Sequence, residues 1–220
     1  MFSKLVKKLF HPPFSHLSYA QEGEDMILKV IFEDIETGFY VDVGALHPVR
    51  FSSTYHFYMK GWQGINIEAM PGSMQEFNKK RPRDINLELA ISDKKEMITY
   101  YVFNEPALNG FSRSLSLERN ENTSYKILFT KELQTIPISE VLDQYLLGDQ
   151  TINFLNIDTE GYDYKVLKSN NWEKYRPEIV VIEDYLPFEK IFESEIFNYM
   201  QKLDYEIYCR TLRTTIYKQK

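Results

Sequence analysis

Acidic residues recur in this chain where short β-branched runs end. Phe39-Tyr-Val-Asp-Val43 carries Asp42 and leads into Gly44, and Gly64-Ile-Asn-Ile ends on Glu68. Ile152-Asn-Phe-Leu-Asn-Ile157 runs into Asp158-Thr-Glu160-Gly161, and a fourth run ends on Glu183-Asp184. One such carboxylate is most simply a cap for the helix that follows its strand. Four of them point to a site, because open α/β sheets bind ligands at the carboxyl ends of their strands. The first turn, Asp42-Val-Gly-Ala-Leu-His-Pro48, has one glycine, where a dinucleotide needs G-x-G-x-x-G to bring backbone up to the pyrophosphate. It suits a ligand that lacks phosphates and carries an amino-acid end and a ribose. Glu68, at the end of the second run, is placed to accept hydrogen bonds from two ribose hydroxyls. The pair suggests S-adenosylmethionine.

The elements that must hold these residues follow from periodicity. Ile27, Val30, Ile31 and Ile35 fall at helical spacing over 24–36, with acids in the first turn and Gly38 as the stop. Strands are expected at 39–43, 64–68, 85–91, 97–103, 126–137, 152–157 and 178–183. Helices are expected near 52–60, after Pro71, and at 138–147, 161–169 and 189–202. Residues 104–124, rich in Asn, Ser, Glu and Arg, read as a long loop of the kind that meets substrate. Two short runs, 205–209 and 213–218, close as a hairpin. Alternating strands and helices predict an α/β, Rossmann-like fold: a mostly parallel sheet, helices on both faces, and a C-terminal antiparallel hairpin at the edge. The chain divides into an extension, 1–23, and one domain, 24–220.

Composition removes several function classes. Lys+Arg 26 against Asp+Glu 32 gives a net charge of −6, which disfavours nucleic acid as partner. A single cysteine, Cys209, excludes an intramolecular disulfide framework and a cysteine-cluster zinc site. No stretch approaches the ~18 apolar residues of a membrane span. Met1–Phe10 is short, basic and amphipathic without the apolar core of a signal peptide. A frayed first turn is its simplest reading and weak contact with a membrane surface the other; the cytoplasm is the default compartment.

The chain resembles the FkbM-type S-adenosylmethionine-dependent methyltransferases. The matching pieces are Ser18-Tyr-Ala-Gln-Glu-Gly-Glu-Asp25, Gly38-Phe-Tyr-Val-Asp-Val-Gly-Ala45 with His47-Pro48, and Gly61-Trp-Gln-Gly-Ile-Asn-Ile-Glu-Ala69 with Pro71. Leu89-Ala-Ile-Ser92 and Asn156-Ile-Asp-Thr-Glu-Gly161 complete the series in the family's order. The resemblance implies the class I methyltransferase fold and O-methylation of a sugar or glycosylated acceptor, in polysaccharide biosynthesis. It implies that Asp42, Gly44 and Ala45 line the methionine end and that Glu68 holds the ribose. Ala69 and Met70 would lie against the adenine, with Ala90 and its neighbours closing over it. Asp158 would face the amino group or the transferred methyl, and Gln21 and Asp25 would cover the cofactor.

An alcohol acceptor must lose a proton, which calls for a general base or a metal-bound alkoxide. His47 is the candidate base, its alternative role being to hold the loop before Pro48. Asp158 and Glu160, with Glu183 or Asp184, could bind Mg²⁺ through oxygen; otherwise Glu160 caps the helix from Gly161. Asp163 reads as a first-turn helix charge, and His56 as packing. Arg113 and Arg119 could hold an anionic acceptor. Phe103 and Phe111 could stack on a sugar, with core packing as their default, while Trp62 and Trp172 read as core. Two other functions stay open on the residues: an NAD or nucleotide-sugar enzyme on the same fold, and a binding module without turnover.

Overall fold

A computed structural model describes residues 14–146 and 148–220. Met1–Phe10, read above as amphipathic, and His11 lie outside the described residues. The centre is strand β1 (Phe39–Val43), flanked in parallel by β2 (Gln63–Glu68) and β7 (Phe154–Ile157), with Val41 opposite both Ile65 and Leu155. Beyond β2 lies β3 (Ile85–Glu88), and beyond β7 lies β8 (Ile179–Glu183). Then come β10 (Thr214–Gln219) and β9 (Tyr205–Arg210), both antiparallel to their neighbours. Among the described residues this gives a seven-stranded sheet in the order β3-β2-β1-β7-β8-β10-β9. A smaller sheet, β4-β6-β5, is made from β4 (Ala90–Ile91), β5 (Met97–Phe103) and β6 (Ile127–Ile136).

Side chains alternate along each strand, so the central run builds two cores. Val41, Val43, Leu155, Ile157, Val180 and Ile182 pack on one face. They meet α5 (Ile138–Tyr145), α6 (Asp163–Lys168) and α7 (Glu195–Lys202) through Leu142, Leu167 and Met200. Tyr40, Phe154, Ile179 and Val181 point the other way, against Leu28 of α1 (Glu24–Ile31), Phe57 of α2 (Tyr55–Met59) and Trp62. Trp172 lies in the first core, and Cys209 packs against the second. Strand order reverses between β1 and β7, and the crevice this leaves at their carboxyl ends is where such sheets take ligands.

Several expectations need correction. Helix α1 stops at Ile31, Leu28 rather than Val30 faces the core, and Val30 is 63% exposed. Gly38 is therefore no helix stop. A β-carbon there would stand 2.6 Å from Asn153 Oδ1 and from the Trp62 ring, so glycine permits close packing. The residues after Pro71 turn first, and α3 begins only at Met74 (Met74–Lys80). Residues 104–124 are not a loop: a 3₁₀ turn (Pro106–Leu108) and α4 (Arg113–Asn122) occupy them, with Ser112 accepting from Leu115 N as N-cap. The helix expected at 189–202 is two pieces, a 3₁₀ turn (Phe188–Glu193) and α7, divided where Ser194 caps α7 by accepting from Phe197 N at 2.9 Å.

Candidate functional site

A cleft open to solvent lies at the carboxyl ends of β1, β2, β7 and β8. Its floor is the turn after β1. Gly44 and Ala45 both donate backbone N–H bonds to Ile67 O, at 2.9 and 3.1 Å, so the turn is tied to β2. Gly44 has φ +83°, a conformation that favours glycine.

Glu68 stands beside this turn with both oxygens in use. Oε2 accepts from Leu46 N at 2.9 Å; Oε1 accepts from Met70 N at 2.9 Å and from the Tyr100 hydroxyl at 3.2 Å. Burial pushes its pKa up, and these donors pull against the shift. A carboxylate offers about four acceptor positions; Leu46, Met70, Tyr100 and the Ala69 N–H share those of Glu68, which also lines the cleft.

Asp42 is buried in β1, its Oδ1 accepting from Asn156 Nδ2 at 2.9 Å and its Oδ2 from Thr54 Oγ1 at 2.8 Å. Burial raises its pKa, while the Arg81 guanidinium opposes the rise. That guanidinium is itself fully buried. It donates to Asp84 Oδ2 at 2.8 Å, to the Tyr40 hydroxyl at 2.7 Å and to Thr54 Oγ1 at 3.0 Å. Arg81, Thr54 and Asp42 thus form one chain of hydrogen bonds beneath the cleft, and neither Arg81 nor Thr54 had been singled out from the sequence.

Asp158, Glu160 and Glu183 converge at the far wall, each with a carboxylate oxygen within 4.8 Å of the others. Asp184 is buried but turned away, accepting from Leu186 N at 3.1 Å. Glu160 sits at φ +53° and accepts from Arg119 at 2.6 Å and from the Tyr185 hydroxyl at 2.7 Å, all at Oε2. Desolvation, then repulsion from Glu160 and Asp163, lifts the Glu183 pKa to about 8. Asp158 is raised for the same reason, burial first and Glu183 next. Arg119 is therefore an internal partner of the acid cluster in this state. Arg113 opens α4 at the surface.

Asp163, read as a bare helix charge, is buried. It accepts from Thr159 N at 2.7 Å and Gly161 N at 3.0 Å, so it holds the turn that presents Asp158 and Glu160. Burial raises its pKa to about 6.

His47 is placed differently from a general base facing the cleft. Nδ1 accepts from Val49 N at 3.0 Å and Arg50 N at 2.8 Å, and Nε2 faces Glu76 at 3.5 Å. It borders a neighbouring hollow instead of the main cleft. Nδ1 is thus taken up by its own loop and Nε2 faces Glu76, and His47 is not among the residues lining the main cleft. His56 packs edge-on against Phe57.

The remaining expectations divide by side. Gln21, Asp42, Gly44, Ala45, Glu68, Ala69, Asp158, Glu160 and Glu183 line the cleft. Asp25 does not: its oxygens accept from Ser18 Oγ at 2.6 Å and Tyr19 N at 2.7 Å, and its neighbour Glu24 lines the wall. Ala90 packs behind, against Tyr100 and Phe111, leaving Leu89 and Ile91 at the surface of the cleft. Met70 borders the adjacent hollow. Phe103 is core, while Phe111 reaches the cleft wall, its ring centroid 4.8 Å from Tyr100 and 5.4 Å from Tyr162.

No curated protein sequence matches the chain. Among solved structures it is similar, at 10% identity and a TM-score of 0.45, to a chain from Pyrococcus horikoshii described as a "putative RNA methyltransferase PH1948". The likeness covers 97% of this chain and 96% of that one. Residues 42–207 match the methyltransferase FkbM domain. That span runs from Asp42 in β1 to Ile207 in β9 and takes in Glu68, Asp158, Glu160 and Glu183; the chain belongs to the FkbM methyltransferase family.

Proposed function

We propose that this methyltransferase draws its methyl group from S-adenosylmethionine and passes it to a hydroxyl of a sugar or glycosylated acceptor, in polysaccharide assembly in the cytoplasm. The observation that carries the cofactor reading is Glu68, a buried carboxylate at the end of β2 that lines the cleft. It lies beside a turn with one glycine and no pyrophosphate cradle. The donor set fits the group: a carboxylate for ribose hydroxyls, apolar Leu89 and Ile91 for a base, and acids near Asp158 for an ammonium. When bound, that cofactor supplies a methyl carried on a positively charged sulfur.

The chain's own residues chiefly align and exclude water, since methyl transfer is a displacement that rewards near-attack geometry. Gly44 to Leu46 and Glu68 fix one end. The Arg81–Thr54–Asp42 chain keeps β1 and β7 in step beneath it. The Asp158–Glu160–Glu183 wall faces the position from which an acceptor proton must leave. We further propose that 24–220 works as one domain after the 1–23 extension, with the 104–124 segment as the acceptor side. The sugar reading rests on the family, and the negative net charge favours a neutral glycan over a nucleic acid.

Calorimetric titration with S-adenosylhomocysteine, against NAD as comparison, tests the cofactor. Binding of the first and none of the second is expected; the reverse would overturn the reading. Transfer of labelled methyl to a panel of glycans, with RNA as the contrasting acceptor, tests the acceptor class.

A further inference from the structure

We propose that Asp158, Glu160 and Glu183 form a binding site for one hard divalent cation, Mg²⁺ or Mn²⁺, at the acceptor side of the cleft. This rests on the reading of the cleft as a methyltransferase site and deepens it.

Three independent features lead there. The ligand atoms converge: three carboxylate oxygens from two strand ends lie within 4.8 Å of one another. Glu183 is only 5% exposed and lines the cleft, yet its Oε2 receives no hydrogen bond from any described residue. The Tyr185 hydroxyl stands near but gives its proton to Glu160. A buried oxygen of this kind calls for a partner. Charge supplies the third feature. Three carboxyl groups stand round one guanidinium, Arg119, which pairs with Glu160 alone, so among the described residues no ion pair reaches Asp158 or Glu183. Arg213, the next cation, is spent on Glu22 at 2.6 Å.

The ligand class is set by the donors. All are carboxylate oxygens, without histidine or cysteine, which selects hard ions over zinc or copper. Oxygens facing each other across Mg²⁺ sit about 4.2 Å apart, so a small inward movement of the three groups would complete the contact. Glu160 keeps Oε1 for this while Oε2 stays with Arg119 and Tyr185. An acceptor hydroxyl meeting the cation would be more acidic than in water.

The test is Mn²⁺ titration of the chelator-treated full chain, followed by electron paramagnetic resonance of free Mn²⁺. One saturable site per chain is expected, weakened at least tenfold in Glu183→Gln and unchanged in Glu206→Gln, a distant exposed carboxylate. No saturable binding up to millimolar Mn²⁺, or equal binding in Glu183→Gln, would overturn the proposal and leave a proton shared between Asp158 and Glu183 in the cation's place. S-adenosylhomocysteine binding in the same samples separates the failures. If that ligand binds and Mn²⁺ does not, the metal site alone falls; if neither binds, the reading of the cleft falls with it.

Discussion

The carbonyl oxygen of Asp158 occupies the space that a β-carbon on Gly44 would need. The turns after β1 and β7 therefore touch through backbone, and the floor of the cleft and its acidic wall are built on one contact. Gly44→Ala would have to part the two turns and hold alanine at φ +83°. A loss of a few kcal/mol is expected, read as a lower urea midpoint, with S-adenosylhomocysteine binding lost before the fold.

Glu68 ties Leu46, Met70 and Tyr100 to one carboxylate. Glu68→Gln keeps the size but puts an N–H₂ against backbone N–H groups. S-adenosylhomocysteine affinity should fall at least tenfold, about 1.4 kcal/mol; unchanged affinity in calorimetry removes Glu68 from the ribose role.

His47 holds its loop through Nδ1. In His47→Ala the Val49 and Arg50 N–H groups turn to water, costing about 1 kcal/mol. Turnover should persist with an unshifted pH profile of kcat. Abolished turnover with intact cofactor binding would restore the histidine as base.

Arg81 is a buried cation with Asp84, Tyr40 and Thr54 around it. Arg81→Leu leaves Asp84 unpaired and should cost about 3–5 kcal/mol. Denaturant unfolding measures this, and Arg81→Lys should recover only part, because a single ammonium cannot reach all three partners.

Asp163 gives a pH signature. Its folded pKa, about 6, lies above the ordinary 3.8, so the native state keeps a proton that the unfolded chain releases. Its contribution is complete below pH 3.8 and is lost as pH rises through about 6. The slope between is about 1.4 kcal/mol per pH unit. Asp163→Asn should flatten that part of the stability profile measured by denaturant at successive pH values. An unchanged slope would rule out the buried proton.

The strand ends were readable because parallel strands buried on both faces must be β-branched runs, so an acid among them stands out. Asp42, Glu68, Asp158 and Glu183 were found this way. Arg81 was not, since nothing local distinguishes a buried arginine from a surface one until Asp84, Tyr40 and Thr54 surround it. Of Ala90 and its neighbours, only the neighbours Leu89 and Ile91 line the cleft, because successive side chains of a strand point to opposite faces. Helix α4 was read as a loop. Its composition is polar apart from Leu115 and Leu117, and part of what holds it is Arg119 reaching Glu160, a contact no local pattern encodes.

The place of β10 between β8 and β9 orders events during synthesis. When β9 leaves the ribosome its sheet partner does not yet exist, and β8 still offers an open edge beside Glu183. Only after residues 214–219 emerge can the hairpin close, cover that edge and let Arg213 meet Glu22 near the other end of the chain. Until then the nascent protein has an unpaired β edge beside its acidic wall, and stalling just before residue 214 should make it most prone to aggregation.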